Sequence, residues 1–272
     1  MLMFFAFATH AATVPDLMRI PGGHIVPRGC ITALPNRAVY DASSTKATLC
    51  NDTLAHANIQ IYAADVHMKT TEPLTNFTAD FVVPPLPSER SGQVVYFWPG
   101  FKASAPEMGY PVLQPVLQYG EHGGAWALQS WFVDAKDWRY PVVTAPAIDV
   151  SPGDHITTFM SLSPDGQSWT VSGTNMASGE DTTLHIKYKR AGKTDYHYAM
   201  LVNENINVNT DCGRMPASSA LVFTNVSVDG RKGSAVDWTT RANCKGDPQC
   251  DCGNDANVDA TSGDVTLSWK SG

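Results

Sequence analysis

One carboxylate stands among hydrophobic residues in the stretch YHYAMLVNENINVNT, residues 196–210. The alternating pattern predicts a β-strand, since successive side chains of a strand point to opposite faces. Glu204 then shares a face with Met200, Val202 and Ile206, and the asparagines occupy the other face, which is expected to be wetter. Burying a carboxylate is costly unless it is hydrogen-bonded, and such groups often mark functional sites. Glu204 is therefore a candidate functional residue, unless a bulge turns it outward or a buried ion pair with Arg or Lys neutralises it.

Primary amides recur at a spacing that puts them on one face of a second predicted strand. In YPVLQPVLQYG, Gln114 and Gln118 fall on the same side, while Leu113 and Leu117 point the other way, toward the expected core. Amides on one face of a strand could line a groove that also contains the acid. The alternative is that these amides only satisfy cross-strand hydrogen bonds, as buried amides commonly do.

Large aromatic residues accompany the amides on two further strands. Gln129 and Trp131 share a face in AWALQSWFV, and YFWPGF places Trp98 at a strand end. Together with a carboxylate, these side chains could form a groove that binds an extended ligand. The competing interpretation is that both tryptophans are ordinary core residues.

The elements that would position these residues are strands. Strand-like runs follow one another from NIQIYAADVHM to GDVTLSW, separated by turn sequences such as SPGD, SPDG and VDGRKG. No stretch gives a convincing helix pattern. Because strands with one apolar face must pack sheet on sheet, we predict an all-β fold, an antiparallel two-sheet β-sandwich.

The N-terminus is expected to be a secretion signal. The apolar run MLMFFAFATHAATVPD has Thr9 and Ala11 where a cleavage site needs small residues, so we assign 1–11 to a signal peptide. We assign 12–57 to an N-terminal extension or propeptide-like segment and 58–272 to the sandwich. No other stretch approaches the roughly 20 apolar residues of a membrane span. The expected extracellular location also suits three glycosylation sequons, at Asn51, Asn76 and Asn225.

Cysteine content agrees with an oxidising compartment. Cys30 and Cys50 lie apart from the other cysteines and are expected to pair with each other. Cys212 has three possible partners in CKGDPQCDC, which the sequence leaves open: Cys244, Cys250 and Cys252. A zinc site in this cluster is the disfavoured alternative, because its thiolates would have to remain reduced after secretion.

Charge and missing motifs exclude several classes of function. The 272 residues carry a formal charge of −7, which argues against a nucleic-acid binder that needs clustered basic residues. The sequence contains no G-x-S-x-G, H-E-x-x-H, phosphate-binding loop or dinucleotide fingerprint. We therefore expect no metal and no cofactor.

The motifs FWPGF, VLQPVLQYG, WALQSWFV, LVNENINV and SALVFTNVSV, taken in this order, resemble the glutamic peptidases called eqolisins over roughly residues 60–270. The resemblance implies a concanavalin-like (jelly-roll) sandwich and an acid endopeptidase in which a Glu and a Gln activate water. By motif, the family's Trp falls on Trp98 and its Glu on Glu204. Its Gln falls on Gln114 or Gln118, of which Gln114 better matches the distance from the Trp and is chosen.

The resemblance also implies a substrate and a partner. The substrate would be a polypeptide, held by Trp98, Gln118, Gln129 and Trp131, and the protein is expected to be a monomer that needs no cofactor. Two other classes of function stay open on the sequence alone. One is a carbohydrate-active or carbohydrate-binding sandwich of lectin or lyase type, and the other is a secreted protein without catalysis.

Overall fold

The computed structural model describes residues 17–22, 24–41, 62–103, 111–121, 123–134, 142–187, 195–244 and 251–272. Within these ranges the chain forms twenty strands and three short 3₁₀ helices, and no α-helix. The strands make two nine-stranded sheets and one two-stranded hairpin. The predicted all-β sandwich is confirmed.

The elements follow the chain from an N-terminal hairpin to a C-terminal one. The strands are β1 (Leu17–Ile20), β2 (His24–Pro27), β3 (Ile31–Ala33), β4 (Val39–Asp41), β5 (Tyr62–Lys69), β6 (Asn76–Val82), β7 (Val94–Lys102), β8 (Val112–Tyr119), β9 (Trp126–Val133), β10 (Val142–Thr144), β11 (Ile148–Val150), β12 (His155–Leu162), β13 (Trp169–Asn175), β14 (Asp181–Lys187), β15 (Tyr198–Ile206), β16 (Ala220–Val228), β17 (Arg231–Lys232), β18 (Thr239–Ala242), β19 (Asp255–Val258) and β20 (Val265–Ser268). The 3₁₀ helices are Arg28–Cys30, Cys212–Arg214 and Gly233–Ala235.

Two large sheets carry the architecture. Sheet I has the order β18-β5-β15-β7-β8-β9-β10-β3, with β11 also on β9. Sheet II has the order β19-β20-β16-β6-β12-β13-β14-β4, with β17 also on β16. Described neighbours are antiparallel except at two edges, where β3 joins β10 and β4 joins β14 in parallel. Both of these edge strands come from 12–57, the stretch predicted to be an N-terminal extension.

The main core lies between the two sheets. Alternate residues of sheet I face sheet II, and Leu113 and Leu117 of β8 are among them, as predicted. They pack in one cluster with aromatic residues such as Phe97, Phe101 and Phe77. The rings of Phe77 and Phe101, from different sheets, have centroids 5.6 Å apart. Side chains at the intervening positions of sheet I therefore point to the face turned away from sheet II, called here the outer face.

The face of β15 that carries Asn203 and Asn205 is not exposed to solvent, contrary to the interpretation of the sequence. Asn203 and Asn205 are buried, and their Nδ2 atoms lie 3.0 and 3.4 Å from Oδ1 of Asn254. These amides face the interior of the sandwich, where a neighbouring amide accepts their hydrogen bonds. Both faces of β15 are thus buried, and alternation between polar and apolar residues misjudged which face meets water.

Trp98 lies inside β7 rather than at a strand end, so that prediction is wrong. The strand continues through Pro99, and β15 pairs with it along its whole length. On the other side, the pairing with β8 stops at Phe97 and resumes at Phe101. Proline has no N–H to donate to a ladder. Because β7 is not paired with β8 at this point, Pro99 is accommodated within a central strand. The sequence could not indicate this interruption.

One open disulfide choice is settled. Cys212 is bonded to Cys252, with Cα atoms 5.4 Å apart. Cys30 and Cys244 each also take part in a disulfide bond. Cys50 and Cys250 lie outside the described residues, so the predicted Cys30–Cys50 pair stays a prediction.

Asp181 of β14 binds the segment between β3 and β4 to sheet II through hydrogen bonds and an ion pair. Its carboxylate accepts hydrogen bonds from Arg37 Nη2 at 2.7 Å and from Thr183 Oγ1 at 2.7 Å. Asn36 adds a further contact, since its Oδ1 accepts from the backbone N–H of Thr183 at 2.7 Å. The hydrogen bond from Arg37 is the main reason why the pKa of Asp181 lies below its usual value, and burial partly opposes it.

We expect Asp181→Asn to lower Tm at neutral pH by a few degrees, because the neutral amide loses the charge-assisted bond to Arg37. A carboxylate with a lowered pKa stabilises the fold when ionised, and that contribution is lost as the pH falls through the lowered pKa. Thermal melts of both proteins from neutral to strongly acidic pH check this. A Tm difference that persists unchanged at the acidic end would contradict it.

Candidate active site

The outer face of sheet I forms a second hydrophobic cluster, under the N-terminal hairpin. Met18, Ile20 and Val26 of the hairpin pack against alternate residues of β7, β8, β9 and β15. The residues of sheet I in this cluster are Val94, Tyr96, Trp98, Val112, Val116, Trp131, Val133, Met200, Val202 and Ile206, with Val142 of β10. The face that carries the predicted site residues is therefore covered by the chain itself.

Glu204 lies within this cluster and is fully buried. The pairing of β15 with β5 shifts register between Asn203 and Glu204, so a bulge exists there, yet it does not turn the carboxylate to solvent. The backbone N–H of Gly22 lies 3.0 and 3.1 Å from the two carboxylate oxygens. Nε1 of Trp98 donates to Oε2 at 3.1 Å. These three contacts offset part of the cost of removing the carboxylate from water.

Gly100 allows the Trp98 ring to reach Glu204. A Cβ atom at Gly100 would lie 2.7 and 2.8 Å from two ring carbons of Trp98, closer than real Cβ contacts. The six-membered part of the indole therefore rests over the glycine, and its N–H end is directed to the carboxylate. The glycine of the WPG motif thus has a positioning role that the sequence analysis did not identify.

Strand register places Gln118, and not Gln114, in line with the acid. Glu204 pairs with Tyr96 across β15 and β7, and Tyr96 pairs with Gln118 across β7 and β8. Two strand spacings put the Cα atoms of Glu204 and Gln118 about 10 Å apart. Gln114 is four residues farther along β8, opposite Trp131, which adds an offset of about 13 Å along the strand. Gln118 is the amide nearer to Glu204.

A chain of amides fixes Gln118. Its Nε2 donates to Oε1 of Gln129 at 2.8 Å, and Nε2 of Gln129 donates to the carbonyl of Ala145 at 2.8 Å. Gln114 is also buried. The Oε1 atoms of both Gln114 and Gln118, and Nε1 of Trp131, have no hydrogen-bond partner in the described structure. Gln129 thus orients the amide of Gln118 through one hydrogen bond.

Tyr96 stands between Glu204 and Gln118, and the sequence analysis missed it. Its hydroxyl donates to the carbonyl of Arg19 at 2.9 Å. Burial, followed by the charges of Glu121 and Glu204, raises the pKa of Tyr96 well above its usual value, and Arg19 opposes this only in part. Tyr96 therefore stays a protonated donor. The available signal was its position two residues before Trp98, on the same face of the strand.

A second buried carboxylate on the outer face is paired with a guanidinium. Asp65 of β5, opposite Val202, is fully buried and lies 3.0 Å from Nη2 of Arg241. His67 Nδ1 is 2.8 Å away and Asn243 Nδ2 is 3.2 Å away. The described contacts of Glu204 include two neutral donors, the backbone N–H of Gly22 and the indole N–H of Trp98.

The described residues contain no group of three or more His, Cys, Asp or Glu side chains that could hold a metal ion. None of their helices is long and apolar enough to cross a membrane. Of the predicted glycosylation sites, Asn225 is exposed and Asn76 is partly buried, whereas Asn51 lies outside the described residues.

Comparison with known proteins identifies the fold. No family model and no curated protein matches the sequence. Two structures of scytalido-glutamic peptidase match, one with a transition state analog inhibitor (TM-score 0.53, 17% identity) and one with a peptide-based analog (TM-score 0.52, 18%); each match covers 78% of this chain and 99% of the other. SCP-B, an eqolisin in complex with a tripeptide, has a TM-score of 0.49 at 18% identity, covering 77% and 98%. The chain therefore shares the fold of glutamic peptidases, and at this identity the likeness concerns the fold alone.

We expect Trp98→Phe to lower the free energy of unfolding by about 1.5 to 3 kcal/mol more than Trp131→Phe, because only Trp98 donates to a charged group. Both changes remove the same part of a buried indole, so the loss of packing is matched. Urea unfolding of the two variants gives the difference. Equal destabilisation would show that the bond to Glu204 contributes nothing measurable.

Proposed function

We propose that this protein is a secreted acid endopeptidase of the glutamic type. The observation that carries the proposal is how the outer face engages a peptide backbone. Glu204 accepts the N–H of Gly22, and Tyr96 donates to the carbonyl of Arg19, three residues earlier in the same segment. The face thus offers one acceptor and one donor to backbone groups. These are the contacts that an enzyme acting on peptide bonds needs.

The chemistry follows from these groups. Glu204, as a carboxylate, takes a proton from a water molecule whose oxygen attacks the carbonyl carbon of the substrate. The Tyr96 hydroxyl and the Gln118 amide donate to the oxyanion that forms, and one well-placed donor of this kind contributes about 3 to 4 kcal/mol. Protonated Glu204 then returns its proton to the departing amine as the carbon–nitrogen bond breaks. The chemistry requires only these side chains and water.

This proposal replaces Gln114 with Gln118 as the catalytic amide. Gln118 shares a cross-strand row with Glu204 through Tyr96, and Gln129 orients it. Gln129 is therefore a positioning residue. Trp98 orients Glu204, and Trp131 contributes an apolar wall of the groove.

The remaining parts of the proposal concern setting and partners. The disulfide between Cys212 and Cys252 is compatible with an extracellular location. The proposed substrate is a polypeptide, and the protein is proposed to act as a monomer. The lyase alternative would place a histidine and a tyrosine beside Gln114. Across the ladder of β8 and β9, the described residue opposite Gln114 is instead Trp131.

We predict that Glu204→Gln lowers cleavage of denatured casein between pH 2 and 6 by at least a hundredfold, because the amide cannot accept the proton. Since the hairpin covers this face, the assay uses the full-length protein and also an Ile20→Asp variant, which puts a charge where the hairpin meets the sheet. Circular dichroism confirms that each variant is folded. Equal cleavage with and without the Glu204→Gln substitution, in both backgrounds, would remove the proposal.

The two candidate amides are distinguished by alanine variants in the same assay. Gln118→Ala should lower kcat by about tenfold to a thousandfold through loss of an oxyanion donor, with KM little changed. Gln114→Ala should change kcat by less than Gln118→Ala does. The reverse order would return the catalytic role to Gln114.

A further inference from the structure

We propose that the face of sheet II turned away from sheet I binds a neutral oligosaccharide, at a site separate from that of Glu204. The site is a cavity of about 320 Å³ over β12, β13 and β14, also lined by the segment between β3 and β4. It is called here the hydroxyl cavity, and the lining residues that matter most are Arg37, Phe159, Ser172, Asp181, Thr183 and His185. Sugar binding at this place is independent of the proposed peptidase activity.

Strand register brings the lining side chains to one face of sheet II. Phe159 pairs with Ser172, and Ser172 pairs with Thr183, so the three residues form a row across β12, β13 and β14. Two strand spacings give this row a width of about 10 Å. Residues next to them in the chain, such as Met160 and Val171, point into the core between the sheets instead. The row is therefore turned away from the core.

The floor of the hydroxyl cavity is a chain of hydrogen-bonded hydroxyl groups. Thr183 donates its single hydroxyl proton to Oδ2 of Asp181 at 2.7 Å. The Ser172 hydroxyl lies 2.7 Å from Oγ1 of Thr183, and it is the donor of that bond because the Thr183 proton is already used. Ser172 and Thr183 are 3% and 7% exposed, so they lie at the bottom of a depression. The Ser172 oxygen keeps a lone pair that can accept a hydrogen bond from a ligand.

Arg37 places donors at the rim of the hydroxyl cavity. Its Nε and Nη2 atoms lie 3.4 and 2.7 Å from the carboxylate oxygens of Asp181, and its Nη1 has no hydrogen-bond partner among the described residues. Its side chain is 70% exposed. The backbone φ of Arg37 is 62°, a left-handed conformation that is uncommon outside glycine and that occurs often at binding sites. The guanidinium thus keeps at least one donor for a ligand.

Phe159 supplies the aromatic surface of the hydroxyl cavity and is partly exposed. The face of an aromatic ring carries partial negative charge and attracts partly positive hydrogen atoms. The flat side of a pyranose ring presents C–H groups of this kind, and its edge presents hydroxyls that both donate and accept. A phenyl ring with a guanidinium donor and a serine acceptor beside it therefore matches the surface of a sugar.

The charge of the lining favours a neutral ligand. Arg37 and Asp181 form an ion pair at 2.7 Å, so their charges largely cancel. A phosphate or sulfate group would be repelled by Asp181, and a cation would be repelled by Arg37. A hydroxyl-rich neutral ligand can contact Nη1 of Arg37 and Oγ of Ser172 without breaking the ion pair.

Isothermal titration calorimetry of the full-length protein with cellohexaose and with chitohexaose tests the inference, because both are neutral chains whose rings have flat C–H faces. Phe159→Ala removes the aromatic surface and should weaken binding at least tenfold, whereas Phe159→Tyr keeps the ring and should bind about as tightly as the unaltered protein. Tyr198→Ala is the matched control, since it removes a partly buried ring from β15 of sheet I and should leave binding unchanged. Circular dichroism checks that each variant is folded.

A second pair of variants tests the polar contact. Arg37→Ala should weaken binding about tenfold, because a charged donor to the sugar is lost. Arg231→Ala removes an exposed arginine from β17, outside the hydroxyl cavity, and should have no effect. Weaker binding in Phe159→Ala and Arg37→Ala alone would uphold the inference whether or not the protein cleaves casein. Binding of neither sugar by the unaltered protein, or equal binding by each variant and its control, would overturn it.

Discussion

The account depends on one buried carboxylate and on the groups that hold it. Glu204 lies on a β-sheet face among methionine, valine and isoleucine side chains, where an unsatisfied charge would be strongly destabilising. Its described partners come from far along the chain: Trp98 from β7 and Gly22 from the N-terminal hairpin. The same contact therefore stabilises the acid, positions the tryptophan and closes the groove. Folding of the N-terminal segment and accessibility of the site are physically coupled through Glu204.

Local alternation predicted much of the fold and the face of β15 on which Glu204 lies. Glu204 does share its face with Met200, Val202 and Ile206, and the leucines of β8 do lie in the core. These predictions depend only on the twofold period of a strand, which sequence shows directly.

Properties that depend on register or on distant contacts could not be predicted. Gln114 and Gln118 are equivalent by alternation, and only the pairing of β7 with β8 shows which one is in line with Glu204. The contact between Gly22 and Glu204 spans 182 residues of sequence. The asparagines of β15 were misjudged because a polar residue can be buried when another amide, here Asn254, accepts its hydrogen bond. In each of these cases the outcome depends on tertiary contacts, which the local sequence pattern does not show.

The similarity to glutamic peptidases concerns the fold, and a shared fold does not by itself establish a shared activity. What argues for peptide chemistry is the site, in which backbone groups of the chain contact Glu204 and Tyr96. The most direct test is hydrogen exchange of the Gly22 amide in the full-length protein, followed by NMR. The account predicts slow exchange that becomes at least tenfold faster in Glu204→Ala. Fast exchange in the unaltered protein, or no change in the variant, would show that the turn does not bind the acid.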